Sequence, residues 1–89
     1  MKTETQVEAK ARMVLSALCY LSRVAASDAF QVDVQYGRNF AKVVAYPYNA
    51  GQAAALHGFV KAFIWTDTQY EKTPFAGWVV TCTIKEEAK

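Results

Sequence analysis

The sequence predicts an α+β fold, with a small antiparallel sheet of three or four strands and a long N-terminal helix and a second, shorter helix packed on one face. Two observations carry this. Apolar residues recur at helical spacing through the first quarter of the chain, and apolar and polar residues alternate with period two in later segments. No repeat, linker or low-complexity stretch divides the 89 residues, so they are expected to form a single domain spanning 1–89. A chain of this size buries roughly 60–65% of the surface its unfolded form exposes, which is an adequate but thin core.

The first helix has the clearest start. Thr5 followed by Glu8 is a capping box, in which the hydroxyl and the carboxylate satisfy amides that the first turn leaves unpaired. Val7, Ala11, Val14, Leu15, Leu18, Ser22 and Ala25 then form one stripe, and neither Gly nor Pro interrupts before Asp28, so the spacing predicts a helix over about 5–27. Phe30, Val32, Val34 and Tyr36 alternate with Gln31, Asp33 and Gln35 as a half-buried strand. A turn at Gly37-Arg38-Asn39 leads to a second strand with Ala41, Val43 and Ala45 on one face and Phe40, Lys42, Val44 and Tyr46 on the other. A two-residue loop at Gly37 and Arg38 would pair Val34 with Ala41, Val32 with Val43 and Asp33 with Lys42. Pro47, which has no N–H to donate, ends the ladder.

Asn49 and Gln52 resemble an N-cap pair, and Ala53-Ala54-Ala55-Leu56 continues as helix to a stop at Gly58. Phe59–Thr66 is rich in aromatic and β-branched residues and reads as a strand, although Ala53, Leu56, His57, Val60, Phe63 and Ile64 also fit a longer helix. The strand is preferred because a glycine inside a helix costs about 1 kcal/mol relative to Ala. Residues 67–75 read as a loop, and Trp78, Val80, Cys82 and Ile84 alternate with Val79, Thr81, Thr83 and Lys85 as a last strand. The element order is therefore α-β-β-α-β-β, or α-β-β-α-β if the middle segment stays helical.

The composition, 53% apolar, 13% aromatic and 20% charged, is that of a folded domain and not of a disordered chain. A net charge of +2 selects no partner. Cys19 and Cys82 have no ligand-spaced neighbours and read as reduced, buried thiols, so folding is expected to need neither metal nor disulfide. The acidic N-terminal residues lack the pattern of a secretory leader, and no apolar run reaches the ~20 residues of a membrane span, which implies a cytoplasmic protein without membrane contact.

Catalytic, metal and cofactor motifs are missing from the sequence. His57 is the single histidine, and without a Cys or second His beside it a structural or surface role is expected. The eight carboxylates cluster at the termini and in loops, and Gly37, Gly51, Gly58 and Gly77 are too scattered for a phosphate-cradling loop. No cofactor is expected.

Two sets of residues suggest binding. Phe40, Lys42, Tyr46, Lys61, Phe63 and Trp65 would share the sheet face turned away from the helices, as a protein-binding patch or as a stacking and phosphate-binding platform for single-stranded nucleic acid. On helix 1, Met13, Ala17, Tyr20 and Val24 form a second apolar row beside the core stripe. Only Glu8, Arg12, Ser16, Cys19 and Arg23 are left as a polar arc, so apolar residues cover roughly 220° where a surface helix needs little more than ~100°. That row is expected to bind another protein or a second copy of the chain, unless helix 2 and the segment 67–75 cover it. The expected function is a non-catalytic protein-binding domain, a small accessory or inhibitor protein of the kind with which viruses and mobile elements block host factors. The alternatives are a single-stranded nucleic-acid binder and a small enzyme whose site is assembled by the fold.

Overall fold

The computed structural model describes residues 5–63, 66–75 and 77–86. The chain runs α1 (Gln6–Val24), a 3-10 turn (Ala26–Asp28), β1 (Gln31–Tyr36), β2 (Phe40–Tyr46), α2 (Ala50–Lys61), β3 (Thr66–Thr73) and β4 (Gly77–Lys85). The strands form one antiparallel sheet in the order β1-β2-β4-β3. This is the predicted α+β class in its four-strand version, with the long helix first and the shorter one second. Because β4 lies between β2 and β3 and runs against both, β2-α2-β3 is a β-α-β unit whose parallel strands have been split by a third.

Alternation decides which face each side chain takes. Ala41, Val43 and Ala45 of β2 and Val80, Cys82 and Ile84 of β4 point inward and are buried. Both helices cover this face, α1 over β1 and β2, and α2 over β3 and β4. Val7, Ala11, Val14 and Leu18 of α1 and Ala53, Leu56 and Val60 of α2 complete the core. Burial pushes the Cys82 thiol above its ordinary pKa, against the opposing pull of the Thr68 and Thr66 hydroxyls, which keeps it inert. Cys19, expected to be buried, is exposed on α1, because it lies in the polar arc outside the core stripe.

The capping box is present: the Glu8 N–H donates to Thr5 Oγ1 (3.1 Å) and the Thr5 N–H to Glu8 Oε1 (3.3 Å). The helix ends at Val24, three residues before the predicted limit. Ala26 takes φ 56°, the left-handed conformation that a chain leaving a helix usually assigns to glycine. Beyond it the Ser22 hydroxyl donates to the Phe30 carbonyl and accepts from the Phe30 N–H, fastening the last turn of α1 to the entry of β1.

In the β1–β2 hairpin the register differs from the expected one. Tyr36 pairs with Ala41 and Val34 with Val43, and the turn residues are Arg38 and Asn39, closed by a bond from the Gly37 N–H to the Phe40 carbonyl (2.8 Å). The shift is one residue on each strand, so every side chain keeps its predicted face, but Asp33 opposes Val44 and Lys42 opposes Gln35. The expected Asp33–Lys42 pair does not form across the ladder. Gly37 sits under the Phe40 ring, where a Cβ would lie 2.0 Å from a ring carbon, and this close approach is what glycine permits.

Asn49 caps α2 as expected, its side chain accepting from the Gln52 N–H (2.9 Å). The helix then runs through Gly58 to Lys61, so Phe59–Lys61 is helical and not strand. Gly58 faces open solvent, while Leu56 and Val60 on either side are buried, and their burial outweighs the ~1 kcal/mol cost of the glycine. Just beyond the helix the Thr66 hydroxyl lies within donating distance of the carbonyls of Val60 (3.1 Å) and Phe63 (2.8 Å), which also accept from the N–H groups of Phe63 and Thr66. Replacing Gly58 with Ala is expected to stabilise the domain by about 1 kcal/mol. That is a rise of about 4–8 °C in a thermal melt; no rise would mean α2 is not helical at this point in solution.

The segment expected as a loop, 67–75, is mostly the edge strand β3. Thr66, Thr68 and Tyr70 face inward opposite Ile84, Cys82 and Val80, and Asp67, Gln69 and Glu71 face outward. Pro74 and Phe75 then turn the chain into β4, with Gly77 at φ 72°.

Candidate functional site

The second row of α1 is an apolar surface on a regular element that the fold leaves uncovered. Met13, Tyr20 and Val24 are 57%, 62% and 58% exposed, and Ala17 between them is half-buried. At 100° per residue the four lie within one narrow stripe along the helix. Arg12, Ser16 and Arg23 lie beside it and are exposed. Neither of the elements that could have hidden this row reaches it: α2 sits over β3 and β4, and residues 67–75 belong to the far edge of the sheet.

The second predicted set does not come together. Phe40, Lys42 and Tyr46 do share the outer face of β2, all exposed. Lys61 is instead the last residue of α2, and Phe63 packs against the core just beyond it, because the helix continues through Gly58. Trp65 lies outside the described residues. The outer face is also of mixed charge. Gln35, Lys42, Thr83 and Asp67 form one row across the four strands, and Asp33, Lys85 and Glu71 share the same face.

His57 is half-buried on α2, its ring 4.7 Å from that of Tyr70, which in turn lies 5.9 Å from Trp78. Its Nε2 is 3.2 Å from the Thr68 carbonyl oxygen. Among the described residues no three of His, Cys, Asp and Glu are grouped to hold a metal ion, and no polar or charged side chain is fully buried. No helix among them is long and apolar enough to cross a membrane.

Tyr48 and Phe75 are exposed aromatics that belong to neither predicted set. Tyr48 is 67% exposed just beyond β2, and Phe75 is fully exposed at the tip of the β3–β4 hairpin. The pairing of Ala45 with Val80 puts both at the end of the sheet where β1 begins and α1 finishes, so they share that end with Val24. The dipeptide Pro74-Phe75, a turn former followed by a large apolar residue, was the available signal. The chain matches no protein-family model, no curated protein and no solved structure.

Proposed function

We propose that this chain is a non-catalytic protein-binding domain, an accessory or inhibitor protein that occludes a surface of its partner with the outer row of α1. The observation that carries the reading is the exposure of Met13, Tyr20 and Val24 in one stripe of a regular helix. Tyr and Met are residue types enriched at interface centres, and a helix fixed to a sheet presents them without a loop to be ordered on binding. The partner is another protein or a second copy of the chain. We place its action in the cytoplasm, where an exposed free thiol such as Cys19 persists reduced.

The single-stranded nucleic-acid reading has less support. Its platform lacks Lys61 and Phe63, and Asp33, Asp67 and Glu71 on the same outer face would repel phosphates that Lys42 and Lys85 attract.

The test is the double substitution Met13→Glu with Tyr20→Glu, followed by light scattering and affinity capture. Fold stability is expected to change by no more than about 1 kcal/mol, about 0.5 at each exposed site. Association is expected to weaken by about 100-fold or more, as for the loss of a hot-spot side chain. A variant that unfolds, or one that folds and keeps both its mass and its partners, would overturn the proposal.

A further inference from the structure

An open sheet has two edge strands, and the outward backbone groups of each can pair with a strand of another molecule. Here the edges are β1 and β3. On β1 the bond from Gly37 to Phe40 fixes the alternation: Gln35 and Asp33 direct their backbone groups toward β2, while those of Val32, Val34 and Tyr36 point to the free edge. The Val34 N–H, at the centre of that edge, is already taken, since it donates to Asp33 Oδ1 at 2.9 Å. An incoming strand would need to place a carbonyl oxygen there and would meet a carboxylate instead.

On β3 the Thr66 N–H donates to the Phe63 carbonyl (3.0 Å), and the Thr68 carbonyl, two residues on and therefore on the same side of the strand, lies 3.2 Å from His57 Nε2. Both partners lie outside β4, so these groups are on the free side. The His57 ring is held against Tyr70, which keeps it over the edge.

We propose that Asp33 and His57 are edge caps, one on each side of the sheet, which keep it at four strands by occupying the backbone groups that a strand from a second copy would need. The carboxylate does this on β1 by accepting, and the imidazole does it on β3 by donating from Nε2. This gives the single histidine a function independent of the α1 surface.

The experiment is amide hydrogen exchange, with mass measured by light scattering as concentration rises, on the full chain and on Asp33→Ala, Asp33→Asn, His57→Phe and the Asp33→Ala, His57→Phe pair. Asp33→Ala is expected to lower the protection factor of the Val34 amide by about three- to tenfold, the loss of one hydrogen bond, and Asp33→Asn by less because its oxygen still accepts. His57→Phe retains a ring against Tyr70 without the donor. The paired variant is expected to form concentration-dependent oligomers with new protection at the outward amides of β1 or β3. Unchanged Val34 protection in Asp33→Ala would overturn the proposal, as would a folded paired variant that keeps the wild-type mass or gains protection only on α1. Should the paired variant not fold, Asp33→Ala alone, at an exposed side chain, decides by the Val34 amide.

Discussion

Replacing Leu18 with Ala is expected to destabilise the domain by about 2–5 kcal/mol, whereas replacing Tyr20, two residues away, is expected to change it by about 0.5 kcal/mol or less. Leu18 is 1% exposed and is among the largest fully buried side chains, packed with Val14 beneath α1 against the inner sheet face. Truncating it removes apolar contact and leaves a cavity between helix and sheet that the surroundings fill only in part. A domain of this size has a total stability of about 5–15 kcal/mol, so the single change removes a large share of it. Urea unfolding checks the contrast through the midpoint at constant slope. A loss below about 1 kcal/mol at Leu18, or above about 2 at Tyr20, would mean that the two faces of α1 are assigned the wrong way round.

The second large effect is expected at Ser22. Its hydroxyl both donates to the carbonyl and accepts from the N–H of Phe30, a buried residue where the chain leaves the α1 corner and enters β1. Ser22→Ala leaves two part-buried backbone groups without their side-chain partner. At roughly 1–2 kcal/mol for each, the expected loss is about 2–4 kcal/mol, with faster exchange of the Phe30 amide. Ser22→Thr, which retains the hydroxyl, is expected to recover most of it. Equal losses in both variants would show that volume at this site matters and the hydroxyl does not.

Among the α1 residues, those that read as core and those that read as surplus were separable by spacing alone. The buried set Val7, Ala11, Val14 and Leu18 lies wholly within the predicted stripe. Whether Met13, Tyr20 and Val24 would be covered was not legible, because it depends on where α2 lies. That position follows from β2-α2-β3 being split by β4, a long-range pairing that carries α2 to the opposite half of the sheet. The sheet-face set failed for a related reason. Lys61 and Phe63 were assigned through Gly58, a local penalty of about 1 kcal/mol that the burial of Leu56 and Val60 exceeds.

β3 was missed because it is polar on both faces. In Thr66–Thr73 the inward residues are Thr66, Thr68, Tyr70 and Lys72, so no apolar alternation marks the strand, and its existence depends on β4 supplying a ladder. The hairpin register was off by one residue on each strand because face alternation is unchanged by that shift, leaving the turn geometry at Arg38-Asn39 to decide it. Short-range chemistry suffices for the Thr5–Glu8 and Asn49 caps, the core stripe of α1, the inward faces of β2 and β4, and hence the α+β class. The length of α2, the strand at 66–73, the exposure of the second α1 row and the His57 contact at the β3 edge depend on how the layers pack. For α2 a local preference of about 1 kcal/mol is set against burial, and for β3 a polar sequence is set against pairing with β4, and neither burial nor pairing exists until the layers meet.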